Sequence, residues 1–176
     1  IKKLIMEDWR QFKGSQEISF STSEDKPVTL IHAENDGGKS SILNAFCWAL
    51  HEKLTDSFKY PDELIHRKKW HEAKAGKEVN ASVTLIYNHD KIDYTLKKEI
   101  TIKKNSGNAR QEPNNPNLSV INTSLEYTED DGFTQKITDD EKIKSQIYKK
   151  VPLYFRKFLF FDGEEFSHQG RRDDKD

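Results

Sequence analysis

The sequence predicts an α/β fold in which a strand, a glycine-containing loop and a helix follow one another, with an antiparallel β subdomain appended. Residues 28–33 (VTLIHA) are mostly apolar and favour a strand, as expected of a buried central one. Apolar residues then recur at helical spacing over 40–50. Residues 79–87 and 92–102 instead alternate between polar and apolar side chains, which is typical of strands with one buried face.

Two further strands are predicted before the central one. Residues 1–6 form a short apolar run, and residues 17–20 predict a second strand that pairs with the first or lies near it. A polar bend at 8–14 separates the two, and turn-forming residues fill 21–27.

The antiparallel insert is predicted over 79–137. The short link 88–91 makes its first two strands a hairpin, and a polar loop rich in asparagine and proline follows at 103–117. Two more strands, 118–127 and 133–137, flank an Asp-Asp-Gly turn.

A helix and a buried strand are predicted near the end of the chain. Thr138 and Glu141 have the spacing of a capping box, and Ile143 and Ile147 lie on one face of the helix that it opens. Pro152 marks the end of this helix. The apolar run 158–161 predicts a buried strand.

The composition limits the possible classes of protein. The 176 residues suit about one domain, and the net charge of −1 gives no general signal for nucleic-acid binding. Cys47 is the only cysteine, so no disulfide forms within the chain, which favours a cytoplasmic protein with Cys47 as a small core residue. No apolar run approaches the roughly 20 residues that span a bilayer, so we expect no membrane partner.

The segment 33–40 (AENDGGKS) matches the phosphate-binding pattern G-x-x-x-x-G-K-[ST] except that Ala33 replaces the first glycine. In this pattern, backbone N–H groups at a helix N-terminus surround the phosphates. The lysine reaches the outer phosphates, and the hydroxyl binds Mg²⁺. The segment therefore predicts a P-loop NTPase that binds ATP and Mg²⁺. The alternative is a glycine-rich helix cap followed by an exposed lysine.

The chain resembles the N-terminal head segment of SMC-like coiled-coil ATPases. Its stretches LIMEDWRQF and AENDGGKSSILNAF are similar to the N-F-R turn, the G-x-N-G-x-G-K-S-S loop and the following helix of that family. The stretch FLFFDGEE at 158–165 is similar to a motif of the DndD-type ATPases and of the SMC-like subunit of Lamassu anti-phage systems. The resemblance covers residues 1–166 and implies the N-terminal lobe of an ABC/SMC head, with 167–176 as a tail or the start of a coiled coil.

The resemblance assigns roles to individual residues. Lys39 contacts the β- and γ-phosphates, and Ser40 holds Mg²⁺. The phosphate cradle comprises Asn35, Asp36, Gly37, Gly38 and Ser41, with Asp36 in place of a family glycine.

Two residues outside the loop are also implicated by the resemblance. Arg10 matches the arginine that reaches the nucleotide phosphates, although a surface position in a turn is the alternative. Asp162 stands where related heads carry a glutamine that senses Mg²⁺ and the attacking water. Its alternative is a helix N-cap.

The resemblance also implies a composite catalytic site. A complete head requires a Walker B strand, a catalytic glutamate and a signature motif, none of which follows residue 166. We expect these in a C-terminal lobe, with ATP shared between two heads of a homodimer. The implied partners are double-stranded DNA and a nuclease or other effector, in anti-phage defence or DNA repair. We expect the lobe alone to hydrolyse little ATP.

Other features leave alternatives open. The basic run 66–71, with Trp70 inside it, and the lysine pairs at 97–98 and 103–104 suggest contact with DNA phosphates. The alternatives are a solvated loop with one anchoring tryptophan and ordinary strand-edge lysines. For the whole chain, the alternatives to an SMC-like head are a P-loop kinase or small-molecule NTPase, and a scaffold with a vestigial loop.

Overall fold

The computed structural model describes residues 1–34, 37–52, 54, 61–104, 119–129 and 132–155, and the structural statements below concern these residues. They form six strands, three α-helices and two short 3-10 turns. The strands are β1 Lys3–Glu7, β2 Ser15–Ser19, β3 Glu78–His89, β4 Ile92–Lys103, β5 Ser119–Thr128 and β6 Thr134–Ile137. The helices are α1 Lys39–His51, α2 Arg67–Glu72 and α3 Asp140–Lys150, and the 3-10 turns are Pro61–Leu64 and Leu153–Phe155.

All six strands belong to one antiparallel sheet in the order β2-β1-β3-β4-β5-β6. The predicted hairpin of β3 and β4 is confirmed, with a two-residue turn at Asp90 and Lys91. Both turn residues have positive φ values, 50° and 67°, as a type I′ hairpin turn requires. The N-terminal hairpin and the strands on either side of residues 130–132 are confirmed as well.

One face of the sheet carries the core, because side chains alternate between the two faces along each strand. Helix α1 packs on this face against β3 and β4, and α3 packs against β5. The buried inward side chains include Leu4, Met6, Val83, Leu85, Leu96, Ile100 and Leu125. Cys47 is buried on α1, as predicted.

Helix α3 follows the sequence prediction except at its first residue. Ile143 and Ile147 are its buried positions, and the helix ends before Pro152. The N-cap, however, is Asp139 and not Thr138, so the predicted capping box is wrong by one residue. The Asp139 carboxylate accepts the Lys142 N–H at 2.9 Å, which satisfies a backbone donor of the first turn.

The prediction of a buried central strand over 28–33 is wrong for this structure. The segment has no strand partner among the described residues, and Val28 and Leu30 are 79% and 87% exposed. Apolar composition alone does not make a strand, because a strand interior needs neighbours to accept its backbone hydrogen bonds. No described strand lies beside this segment. The predicted strand 158–161 lies outside the described residues.

An ion pair between the buried Lys98 and the partly exposed Glu52 connects the end of α1 to the sheet. Lys98 points inward from β4 and is 2% exposed, with its Nζ 2.9 Å from Glu52 Oε1. Burial lowers the pKa of Lys98, and the Glu52 carboxylate opposes that shift. Glu52 caps α1 in a left-handed conformation, and its other oxygen lies 3.3 Å from Lys144 on α3. One carboxylate therefore links α1, β4 and α3.

We expect Glu52→Gln to lower the free energy of unfolding by about 2 kcal/mol, because it leaves the buried Lys98 ammonium without its counter-charge. We expect Lys98→Met to change it by less than about 1 kcal/mol, because the methionine fills the same space without a charge. Urea denaturation followed by tryptophan fluorescence measures both. Equal losses in the two variants would contradict this account of the pair.

Candidate phosphate-binding site

The site begins with the turn between β1 and β2, which forms the predicted polar bend. The Asp8 N–H donates to the Gly14 carbonyl at 2.9 Å, and the Gly14 N–H donates to Asp8 Oδ1 at 2.8 Å. Lys69 of α2 donates to Asp8 Oδ2 at 2.7 Å. Burial alone would raise the pKa of Asp8, but the hydrogen bonds from Lys69 and Gly14 bring it below its usual range. The Asp8 carboxylate therefore closes the turn through its hydrogen bond with the Gly14 N–H.

Trp9, the next residue, joins the turn to α1. Its side chain is fully buried, and its indole N–H donates to the Ser41 carbonyl at 3.0 Å. Its ring lies 5.0 Å from that of Trp48, centroid to centroid, and its backbone bridges to Ile65. The first and third turns of α1 are thus held against the β1–β2 turn.

The N-terminus of α1 is uncapped, unlike those of the other two helices in the described parts of the chain. Gly38 stands at the N-cap position, where it has a φ of 97° and no side chain to accept a backbone N–H. The first turn of α1 contains no acidic residue. In α2, the His66 side chain accepts a backbone N–H, and in α3 the Asp139 side chain does so. The first-turn N–H groups of α1 are therefore open to an anion.

The glycines before α1 are required by close packing. A Cβ on Gly37 would lie 2.7 Å from the Ala33 Cβ and 2.9 Å from the Glu34 carbonyl oxygen. A Cβ on Gly38 would lie 2.5 Å from the Gln11 amide nitrogen and 2.7 Å from the Phe12 ring. The methyl group of Ala33 is thus accommodated because residue 37 has no side chain.

Lys39 and Ser40, the residues predicted to meet the phosphates and Mg²⁺, both lie at the exposed start of α1. Lys39 Nζ donates to the carbonyls of Ala33 and Glu34, each at 2.8 Å. The Ser40 backbone carbonyl accepts from the Asn44 amide at 2.7 Å, so Asn44 supports the first turn. Among the described residues, the Lys39 ammonium is held only by these two neutral carbonyl groups of the loop.

Ser41, predicted to line the cradle, is buried and donates its hydroxyl to Gln11 Oε1 at 2.7 Å. The structure therefore brings Gln11 and Trp9 to the site, although neither was singled out from the sequence. Their only signal was their position beside Arg10 in the stretch similar to the N-F-R turn.

The other predicted site residues are placed differently or not described. Arg10 is half-buried and donates to the Glu63 carbonyl at 3.2 Å, so its guanidinium lies against the 3-10 turn Pro61–Leu64. Burial lowers the pKa of Arg10, and the Glu63 carboxylate opposes this. Asn35, Asp36 and Asp162 lie outside the described residues, as does the stretch 158–165.

Most of the lysines considered for DNA contact serve the fold. Lys98 is buried on Glu52, and Lys97 lies 3.8 Å from Glu7. Lys104 donates to three carbonyls at the end of α2, those of Trp70, His71 and Ala73, at 2.7, 3.1 and 2.7 Å. It also lies 5.7 Å from the centroid of the Trp70 ring, which packs partly buried against the core. This arrangement favours the structural interpretation of these cations.

Metal-binding clusters and membrane-spanning helices are both missing from the described residues. No group of three or more His, Cys, Asp or Glu side chains suited to a metal ion occurs there. None of the helices in the described ranges is long and apolar enough to cross a membrane.

We expect Gly38→Ala to lower the free energy of unfolding by about 2–3 kcal/mol, because the methyl group meets Gln11 and Phe12 in an unfavourable backbone conformation. Gly76→Ala is the matched control, since its φ is 78° but nothing lies within 4 Å of the added carbon. We expect it to lose only about 1 kcal/mol. Chemical denaturation of the two variants measures the difference, and equal losses would exclude crowding at Gly38.

We expect Asp8→Asn to lower the free energy of unfolding by about 1 kcal/mol at neutral pH, because the charged partner of Lys69 is lost. The pKa of Asp8 is lowered in the folded protein. Its contribution is therefore complete above the unfolded value of about 3.9 and is lost as the pH falls through the folded value.

Denaturation at a series of pH values checks this dependence on Asp8. Asp90→Asn is the control, because Asp90 has a similar φ, 50° against 48°, but is exposed. A difference between wild type and Asp8→Asn that persists at the lowest pH would contradict an electrostatic origin.

Two comparisons with known proteins found similarity to this chain. The family model described as an AAA domain matches residues 3–176. A 62-residue stretch is 40% identical to a subunit of the nuclease SbcCD from Vibrio cholerae serotype O1, and this match covers 35% of the chain but only 6% of that relative. The chain thus spans a small part of the relative's length. From the family match, the chain belongs to the AAA domain family of P-loop ATPases.

Proposed function

We propose that this chain is the ATP-binding N-terminal lobe of an SMC-like ATPase head. The observation that carries the proposal is the uncapped N-terminus of α1, with Gly37 and Gly38 before it and the Lys39 ammonium over the loop. An open helix N-terminus, a glycine turn and a lysine together provide positive potential on a narrow surface, which suits a polyphosphate.

The residues present fit ATP and Mg²⁺. Lys39 is held by two neutral carbonyls and so can transfer its hydrogen bonds to phosphate oxygens, which are stronger acceptors. The exposed Ser40 supplies a hydroxyl ligand for the metal, which neutralises phosphate charge when bound. Arg10, Asn35, Asp36, Ser41 and Asp162 complete the proposed site through the family resemblance.

The exposed segment before the loop supports a site completed by another lobe. Val28 and Leu30 are exposed apolar side chains in a segment without assigned secondary structure that leads directly to Ala33. Exposure of these apolar side chains to water is unfavourable in free energy, and a strand placed beside them would bury them. In the proposed full head, a C-terminal lobe supplies that strand together with the Walker B and signature residues. Hydrolysis then requires two heads, joined as a homodimer by ATP.

The biological setting is also part of the proposal. The named relative is a subunit of a nuclease, which supports a nuclease or other effector as a partner. Double-stranded DNA is the second proposed partner. The proposed setting is anti-phage defence or DNA repair: the similarity of FLFFDGEE to the DndD-type and Lamassu proteins supports the first, and the SbcCD relative supports the second. We place the protein in the cytoplasm because its single cysteine suits a reducing compartment.

A P-loop kinase or small-molecule NTPase is the second candidate. Such an enzyme carries an acceptor pocket and an arginine-containing lid near the loop. In the described chain, the loop instead adjoins a six-stranded antiparallel sheet whose inner face is filled by α1 and α3. That packing favours the head.

We expect Lys39→Ala in the full-length protein to weaken ATP binding at least about tenfold, because a charge-assisted contact to the phosphates is lost. ATP-dependent dimerisation, measured by light scattering with and without DNA, should disappear with it. Lys149→Ala, on the exposed side of α3, is the control and should behave as wild type. ATP consumption that needs a small acceptor and no dimer would support the kinase instead.

A further inference from the structure

Gln11 occupies the space between the β1–β2 turn and the start of α1. It follows Trp9 and Arg10 in the turn, and its amide group extends to the first turn of the helix. Gln11 Oε1 accepts the Ser41 hydroxyl at 2.7 Å. Its amide nitrogen lies against the α-carbon of Gly38, at 2.5 Å from where a Cβ would stand. One side chain thus touches the N-cap of α1 and its third residue.

The hydrogen bond of Gln11 with Ser41 and its packing on Gly38 have different effects on the loop. The hydrogen bond fixes the rotamer of Ser41, a buried hydroxyl that needs a partner inside the protein. The packing on Gly38 limits how far the loop can move toward the β1–β2 turn, because the space beside its α-carbon is filled. The Gln11 amide nitrogen has no hydrogen-bond acceptor among the described residues, so only the oxygen of this amide is hydrogen-bonded within the fold.

We propose that Gln11 is a positioning residue for the phosphate loop, holding Gly38 and Ser41 so that the first-turn N–H groups of α1 converge on one anion. This inference rests on the proposed ATP site and adds to it a residue from outside the loop motif. Gln11 acts through the loop and needs no contact with the nucleotide. Its effect should therefore appear in affinity for the polyphosphate part of the ligand, whatever base is attached.

The test uses full-length protein and two probes, ATP and inorganic tripolyphosphate, titrated by calorimetry. Gln11→Met keeps the length and packing of the side chain but removes the acceptor, and Ser41→Ala removes the donor. Gln16→Ala is the control, since Gln16 lies on β2 and its amide donates to the Lys13 carbonyl. Melting temperatures without ligand are measured for every variant.

We expect Gln11→Met and Ser41→Ala each to weaken both probes by about three- to tenfold, the range of one lost hydrogen bond. The double variant should bind no more weakly than the weaker single variant, because the two groups act as one unit. The melting temperature should fall in Gln11→Met, which leaves the buried Ser41 hydroxyl without its partner, and should recover in the double variant, where neither group remains. The loss of affinity should persist in the double variant, and Gln16→Ala should bind normally.

Three results would overturn the inference. These are an unchanged affinity in Gln11→Met, additive losses in the double variant, or an affinity that recovers together with the melting temperature in the double variant, which indicates a merely structural role. A wild-type protein that binds neither probe would overturn the proposed ATP site instead, so the two failures are distinguishable.

Discussion

The contact between the Trp9 indole and the Ser41 carbonyl is the constraint on which the geometry of the site depends. It is the point where the sheet, through the β1–β2 turn, meets the first turn of α1. A tryptophan that is fully buried must place its N–H on an acceptor, because an unsatisfied donor costs about 1–3 kcal/mol. The Ser41 carbonyl meets that need. The orientation of the loop before α1 relative to the sheet therefore follows from the burial of one aromatic ring.

The two ends of α1 are fixed by different chemistry. At its start, the Trp9 indole donates to the Ser41 carbonyl and Gln11 accepts the Ser41 hydroxyl. At its end, Glu52 pairs with Lys98 of β4 and with Lys144 of α3. The first end uses neutral hydrogen bonds, which leaves the helix N-terminus positive. The charged groups lie at the far end of the 13-residue helix, where they do not compete with an anion.

The sequence predicted those features that depend on local periodicity or turn chemistry. Alternation gave the β3–β4 hairpin. Lys98, by contrast, was interpreted from its charge as a DNA contact or a strand-edge lysine, and the structure buries it on the inner face. Local alternation could not decide whether residues 28–33 form a strand, because a strand requires neighbouring strands, and the local sequence does not show whether these are present. Trp9 and Gln11 were missed for a similar reason. Their partners are 32 and 30 residues away in the chain, and no spacing rule connects a turn to the side of a later helix.

The placement of the loop limits how the protein can respond to a nucleotide. Helix α1 is tied to the sheet at both ends, so it cannot shift without breaking either the Trp9 hydrogen bond or the Glu52–Lys98 pair. The segment before the loop is held more lightly, by a hydrogen bond from the Ser21 N–H to the Thr29 hydroxyl. Lys39 is the link between the two parts, because its ammonium holds the Ala33 and Glu34 carbonyls.

In the proposed ATP complex, phosphate oxygens that draw Lys39 away would release the segment 28–34 rather than the helix. The released segment carries the exposed Val28 and Leu30 toward any strand that pairs with them. Pairing would bury both side chains and satisfy the backbone groups of the segment, which the described strands leave without a partner strand. Nucleotide binding and completion of the sheet would then be coupled through one lysine side chain.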